Sequence, residues 1–141
     1  MVSSYRTRLV VLVSLVLLFS SSAASRSRRM QRLLPGTWGA THIRIDVGQR
    51  SARIDYDCAN GTIDGPLTFD SKGRFTWRGT HHREGPGPIR EGQESHGSPA
   101  TYTGSIKGDT MTLTITLSDT NEVVETYTLK RGSNGRVFKC K

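Results

Sequence analysis

Apolar and polar residues alternate with a period of two over most of the chain that follows Pro35. From Thr110 to Leu117, four apolar side chains share one face and four threonines share the other. The segment from Ser51 to Cys58 alternates in the same way. Such alternation is typical of β-strands that bury one face. The pattern therefore predicts an all-β domain.

Turn-forming residues separate these segments at short intervals. Asn60-Gly61 is the clearest signal, because this pair tolerates the positive φ that a tight hairpin turn requires. Successive short hairpins favour an antiparallel up-and-down barrel of about eight strands, since closure removes exposed strand edges; a β-sandwich is the alternative. The predicted strands lie near residues 39–47, 50–58, 61–70, 74–79, 100–107, 109–118, 122–131 and 136–140.

Residues 81–99 interrupt this rhythm. The segment has four glycines and three prolines, and proline cannot donate a backbone hydrogen bond to a neighbouring strand. We therefore predict a long loop over residues 81–99. Its histidines and carboxylates are ligand types for zinc or copper, but their spacing matches no metal site, so no metal ligands are assigned.

The first 24 residues have the pattern of an export signal. Arg6 and Arg8 precede an apolar run from Leu9 to Phe19, and small residues lead to a cleavage site after Ala24. The run is too short to cross about 30 Å of hydrocarbon, so the mature form is expected to have no membrane span. We predict a signal peptide over residues 1–24 and a secreted or periplasmic protein.

Positive charge is concentrated before the predicted domain. The formal net charge is +8, yet from Pro35 onward fourteen Lys and Arg face twelve Asp and Glu, which leaves a net charge of +2. We predict a flexible basic arm over residues 25–35 and one β-barrel domain over residues 36–141. The Arg26–Arg32 part of the arm would bind anionic surfaces weakly, and no signal specific for nucleic acid is present.

The two cysteines, Cys58 and Cys140, are expected to form one disulfide. An even pair in an exported single domain favours a bond, and it would tie the C-terminus to an early strand. Reactive or metal-binding thiols are the alternative, although the pair lacks C-x-x-C spacing and histidine neighbours.

The segment Gly36-Thr37-Trp38, just before the first predicted strand, resembles the G-x-W opening of lipocalins and avidin-like proteins. The resemblance implies that Trp38 packs across the closed bottom of an eight-stranded barrel, against an arginine near the chain end. Arg131 or Arg136 would take that place. The Cys58–Cys140 pair is also similar to the lipocalin disulfide, which ties the C-terminus to a barrel strand.

Several side chains are candidates for the barrel interior or for contact with a ligand. Glu125 is the polar member, because its alternation places a carboxylate on the face of Val123 and Tyr127; a bulge that leaves Glu125 in water is the alternative. The candidates are Tyr56, Phe69, Trp77, Tyr102, Glu125 and Tyr127.

The chain carries no recognisable catalytic motif, so no catalytic residues and no cofactors are assigned. We expect a secreted non-enzymatic barrel that binds a small ligand or a surface polymer. The first alternative is a protein–protein module such as a secreted protease inhibitor, whose N-terminal segment would enter the target's cleft. The second is an enzyme that uses the loop from His81 to His96.

Overall fold

The computed structural model describes residues 29–85 and 97–140. The predicted signal peptide, the first four residues of the basic arm and residues 86–96 of the predicted loop lie outside the described residues. Within the described part no helix is long and apolar enough to cross a membrane. The described strands are β1 (Gln31–Arg32), β2 (Gly36–Ala40), β3 (Ile43–Val47), β4 (Ser51–Tyr56), β5 (Ala59–Asp64), β6 (Thr68–Phe69), β7 (Arg74–Arg83), β8 (Ser98–Lys107), β9 (Thr110–Leu117) and β10 (Val123–Arg131).

Eight of these strands form a closed antiparallel barrel in the order β10-β2-β3-β4-β5-β7-β8-β9. β6 is not part of the barrel. Each barrel strand pairs with the barrel strand that follows it along the chain, so the topology is up-and-down. β10 closes the barrel against β2 through two residue pairs, Lys130 with Gly39 and Arg131 with Trp38. The predicted all-β, eight-stranded barrel is confirmed.

The strand boundaries differ from the prediction at the start of the domain. The predicted strand 39–47 is a hairpin of β2 and β3, with its turn at Thr41 and His42. His42 has a φ of 73°, so a residue other than glycine adopts the left-handed conformation there. The motif Gly36-Thr37-Trp38 consequently lies within β2 and not before the first strand.

Strands β7 and β8 reach further into the predicted loop 81–99 than the sequence suggested. Their pairing continues through Thr80 with Pro99 and His81 with Ser98. The prediction for this segment is therefore corrected: strand structure covers residues 81–83 and 98–99, and Pro99 is accommodated inside β8.

The predicted turn at Asn60-Gly61 is also wrong, because both residues belong to β5. The hairpin between β4 and β5 turns at Asp57 and Cys58, three residues earlier, and Cys58 takes the positive φ of 54°. The Nδ2 group of Asn60 donates to Glu84 Oε1 at 3.0 Å.

One end of the barrel, which we call the capped end, is covered by the two-stranded sheet of β1 and β6. Leu33 and Leu67 are buried there, and the Leu33 amide donates to the Leu67 carbonyl oxygen at 2.8 Å. The indole of Trp77 donates to the Thr68 carbonyl oxygen at 2.8 Å. The arm predicted as flexible over residues 25–35 is thus corrected at residues 31–33, which are fixed to the barrel.

The opposite end, which we call the mouth, is formed by the turns at 41–42, 57–58 and 118–122 and by the adjoining ends of β7 and β8. The chain after β10 returns to it along β2 and β3 and makes one isolated parallel bridge, Arg136 with Thr41. The predicted last strand 136–140 is therefore wrong, and this C-terminal tail is a strap. It ends in the Cys58–Cys140 disulfide, which is confirmed.

Candidate functional site

The interior of the barrel is filled by its own side chains. Trp38 and Leu129 lie near the capped end, and β-branched and other aliphatic residues fill the middle, each almost fully inaccessible to solvent. Eight-stranded barrels either fill in this way or hold one small ligand. The residues that fill the centre are Ile43, Ile45, Ile54, Ile63, Met111, Leu113 and Ile115.

A layer of two tyrosines separates this core from the mouth. The hydroxyls of Tyr56 and Tyr102 lie 2.8 Å apart, and the Tyr102 hydroxyl donates to the Thr80 carbonyl oxygen at 2.7 Å. Burial raises the pKa of Tyr102 to about 12 and raises that of Tyr56 further. Both phenols therefore stay neutral and serve as a hydrogen-bonded floor.

A cavity of about 310 Å³, which we call the mouth cavity, lies above this floor. Tyr56 and Tyr127 contribute aromatic surface, and their ring planes are 13° from parallel with centroids 6.4 Å apart. Ala59 and Val124 add aliphatic surface, and the Cys58–Cys140 disulfide forms part of the wall. A second hollow, of about 430 Å³, shares His81, Arg83 and Val124 with it.

His81 is the unusual residue of this site. Its side chain projects inward from β7, its ring centroid is 5.3 Å from that of Tyr56, and the residue is only 7% exposed. Its Nδ1 atom is buried and has no hydrogen-bond partner. Desolvation, followed by the charges of Arg83 and His82, lowers the pKa of His81, so its imidazole is neutral at neutral pH.

The carboxylates at the rim of the mouth cavity are already paired. Asp57 accepts the Phe138 amide at 2.7 Å and contacts Nδ1 of His42. Burial acts to raise the pKa of Asp57, but these two contacts outweigh it and hold the pKa below its usual value.

Glu84 is paired on two sides. The Asn60 amide and the Lys139 ammonium group donate to it at 3.0 and 2.9 Å, and both bonds lower the pKa of Glu84. Arg83 differs from both acids, because no residue in the described ranges forms a hydrogen bond or an ion pair with its guanidinium group.

The residues predicted for the barrel interior lie at different places in the structure. Tyr56, Trp77 and Tyr102 are buried in the barrel, and Tyr127 is half-buried at the mouth. Phe69 lies in β6, which is part of the cap, and packs against the core rather than standing in the barrel wall.

Glu125 is a correction. It is exposed and lies next to a register shift of β10 between Val123 and Glu125. The bulge turns the carboxylate outward, since a buried and unpaired carboxylate would be costly.

At the capped end, the Arg131 guanidinium lies 4.8 Å from the centroid of the Trp38 ring. Trp38 is almost fully buried, so the arginine covers the outer edge of the aromatic core. Of the two arginines considered for this place, Arg136 lies instead over Phe138, at 5.4 Å from its ring centroid.

His81 and Arg83 were not identified from the sequence as residues of the barrel mouth. The usable signal is that the alternation of Phe75 and Trp77 continues with a period of two through Gly79 to His81 and Arg83. The nearby prolines and glycines obscured it, because they favour a loop over a strand.

No protein-family model matches this chain, and no characterised protein and no solved structure matches it significantly. In the described ranges, no three His, Cys, Asp or Glu side chains come together as metal ligands. The mouth cavity is lined by two tyrosine rings, by the nearly buried His81 and by Arg83, whose guanidinium group has no partner among the described residues. Together these groups can hold a small molecule by contact and hydrogen bonding.

Proposed function

We propose that this protein is a secreted, non-enzymatic β-barrel that binds a small ligand at its mouth. The observation that carries the proposal is His81, a nearly buried residue that lines the mouth cavity and whose Nδ1 atom has no hydrogen-bond partner. Buried polar atoms in folded proteins are nearly always hydrogen-bonded, and exceptions tend to mark functional positions. A ligand that reaches His81 would satisfy this atom.

The filled interior supports binding at the mouth rather than inside the barrel. Ligand pockets in proteins are mostly apolar with a few convergent polar groups, and their volumes run from about 300 to 1,000 Å³. The mouth cavity has that composition, and its volume of about 310 Å³ fits a ligand of one or two rings.

Two features favour a lipocalin-like or avidin-like ancestry for this binding protein. The Trp38–Arg131 contact has the arrangement that the G-x-W resemblance implies, and the disulfide joins the C-terminus to the barrel. The disulfide also fits an oxidising extracellular or periplasmic environment, in line with the predicted export signal.

The test is a ligand-observed NMR screen of the mature protein against a fragment library. Val124 lines the mouth cavity, whereas its neighbour Val123 is 60% exposed. We expect Val124→Trp to fill the cavity and abolish binding of the hits, and Val123→Trp to leave it unchanged. Hits that bind both variants equally, or a library without a single hit at millimolar concentration, would contradict the proposal.

A second candidate function is protein binding through the N-terminal segment, as in a protease inhibitor. It is favoured by two apolar side chains exposed beside the cap, Met30 at 53% and Leu34 at 65%. Inhibition of a panel of secreted proteases should be compared for chains that begin at residue 25 and at residue 31, since the shorter chain keeps β1. Equal behaviour of the two chains, including no inhibition by either, would remove this candidate.

A further inference from the structure

Among the charged side chains that line the mouth cavity, one has no partner in the described ranges. Asp57 and Glu84 are held by His42, by the Phe138 amide and by Lys139. Arg83 lines the same cavity and has no ion-pair or hydrogen-bond partner among the described residues. A guanidinium group recognises a carboxylate through paired, charge-assisted hydrogen bonds. Arg83 is therefore the group at this cavity that is suited to a ligand's carboxylate.

His81 adds a second point of recognition. The residue lines the same cavity, and its Nδ1 atom is buried without a hydrogen-bond partner. A neutral imidazole nitrogen either donates or accepts one hydrogen bond, according to its tautomer. A hydroxyl group satisfies both cases, because it is donor and acceptor at once.

The strand places these two residues side by side. His81 and Arg83 are two residues apart in β7, so they project to the same side, with Cα atoms about 6.6–6.8 Å apart at the usual strand rise. A benzene ring that carries a carboxylate and a hydroxyl group in para positions has its two polar groups at opposite ends, so one group can meet each residue.

The remaining walls suit the ring itself. Tyr127 is half-buried at the cavity and nearly parallel to Tyr56, and Val124 and Ala59 supply aliphatic surface. Aromatic rings pack well against such walls in offset-stacked or edge-to-face geometry. A volume of about 310 Å³ accommodates one substituted ring.

We propose that the mouth cavity binds a small aromatic acid, with its carboxylate at Arg83 and a para hydroxyl group hydrogen-bonded to Nδ1 of His81. This inference rests on the proposed function and names the ligand class of that same site. It also assigns separate roles: Arg83 selects the charge, and His81 selects the opposite substituent.

The experiment compares three probes on the mature protein by calorimetric and NMR titration: 4-hydroxybenzoate, the uncharged 4-hydroxybenzamide, and benzoate. We expect 4-hydroxybenzoate to bind at least about ten-fold more tightly than the amide, because only the acid forms a charged pair with Arg83. Benzoate should bind several-fold more weakly than 4-hydroxybenzoate. The ¹⁵N resonance of His81 Nδ1 should shift with 4-hydroxybenzoate and move far less with benzoate.

The matched variants separate the two contacts. Arg83→Gln should abolish the preference for the acid over the amide, and Arg78→Gln should keep it, since Arg78 is exposed on the outer side of the same strand. His81→Leu should remove the preference for the para hydroxyl group. His81→Asn keeps a polar atom near the position of Nδ1 and should retain part of that preference. Arg83 is exposed, so Arg83→Gln gives a decisive result even where His81→Leu fails to fold.

The outcomes distinguish this inference from the proposed function. Equal affinity for the acid and the amide, or an Arg83→Gln variant that keeps the preference, overturns the aromatic-acid assignment. Ligand binding at the mouth then stands as long as other fragments still bind and Val124→Trp blocks them. Absence of binding by all three probes at 10 mM (about the weakest useful affinity) overturns the assignment, and a blank fragment screen overturns the proposed function as well.

Discussion

The floor of the mouth cavity depends on Gly61. It lies in β5 with its α-carbon facing inward, where the hydroxyls of Tyr56 and Tyr102 meet. A Cβ atom at this position would overlap the Thr80 carbonyl oxygen and would lie 2.7 Å from the Tyr102 hydroxyl. The glycine is therefore required for close approach of three neighbouring groups and not for a turn.

We predict that Gly61→Ala destabilises the protein by about 1–3 kcal/mol, as is usual when atoms are added to a well-packed interior. Urea unfolding followed by tryptophan fluorescence measures the free energy of unfolding. Gly85→Ala is the matched control, because a Cβ atom there meets nothing within 4 Å. A change below about 0.5 kcal/mol in Gly61→Ala, comparable to an ordinary surface substitution, would contradict the crowded geometry.

His81 should make the stability of the barrel depend on pH near neutrality. Its pKa is lowered in the folded state by burial and by Arg83 and His82, while in the unfolded state it has the ordinary value of 6.5. Below pH 6.5 the unfolded chain therefore binds a proton that the folded protein resists. The free energy of unfolding falls as the pH drops from 6.5 through the folded pKa, at no more than about 1.4 kcal/mol per pH unit for one group.

We predict that His81→Asn flattens this part of the profile, because asparagine does not titrate. Urea unfolding of both proteins at intervals from pH 7.5 to 5.0 gives the comparison. His82→Asn serves as the control, because it removes the neighbouring imidazole and leaves His81 in place. Parallel profiles for wild type and His81→Asn would show that His81 is not the titrating group.

The sequence predicts strands well where alternation and turn chemistry agree. The segments that became β4 and β9 alternate cleanly, and the structure has them as barrel strands. The hairpin of β2 and β3 was missed because its turn contains Thr41 and His42 and no glycine, so nothing local marks the reversal. The predicted number of strands nevertheless equals the eight of the barrel, because the prediction also includes the tail segment 136–140 as a strand.

The candidate site was predictable only in part, for a related reason. Tyr56 and Tyr127 follow from alternation, because an aromatic residue on the apolar face of a strand points into the barrel. His81 and Arg83 depend on the pairing of β7 with β8 past Pro99, which local sequence cannot reveal. The Nδ1 atom of His81 and the guanidinium group of Arg83 lack partners because of how the whole mouth packs, and no local sequence pattern indicates this.

The seam between β10 and β2 is the shortest contact in the barrel and leaves part of β10 unpaired. The Gly132 amide donates to the Thr37 carbonyl oxygen, and the Arg131 amide donates to the Asp109 carbonyl oxygen. The backbone amides of even-numbered residues in β10 therefore point toward β2, and those of odd-numbered residues point toward β9. Pairing with β2 includes Lys130 and Arg131 only. In the described part of the chain, no backbone partner across this seam is present for Thr126 or Thr128.

We therefore predict rapid amide hydrogen exchange at Thr126 and Thr128, with strong protection at Tyr127 and Leu129. The latter two face β9, where the ladder runs without a break from Glu125 to Lys130. Residue-resolved exchange measured by NMR tests this alternation. Uniform protection along β10 would mean that another segment covers the seam.

The C-terminal strap and its disulfide fix the end of the strap to the mouth of the barrel. The strap lies along β2 and β3, and its end is fixed at the mouth by the Cys58–Cys140 bond, by the Phe138 amide on Asp57 and by Lys139 on Glu84. The bond joins residues that are 82 positions apart. Loop-closure entropy assigns about 4.5 kcal/mol to a loop of this length, and measured values for small secreted domains are about 2–5 kcal/mol.

We predict that the double variant Cys58→Ser, Cys140→Ser loses about 2–5 kcal/mol of unfolding free energy. Wild type treated with a reductant should fall to the same level, because both changes release the same constraint. Lys139→Gln keeps the bond and removes one exposed ion-pair partner, so it should cost less than about 1 kcal/mol. Since the disulfide also forms part of the wall of the mouth cavity, reduction should weaken fragment binding along with stability. A reduced protein that keeps both its stability and its ligands would mean that the hydrogen bonds of the strap alone hold the mouth together.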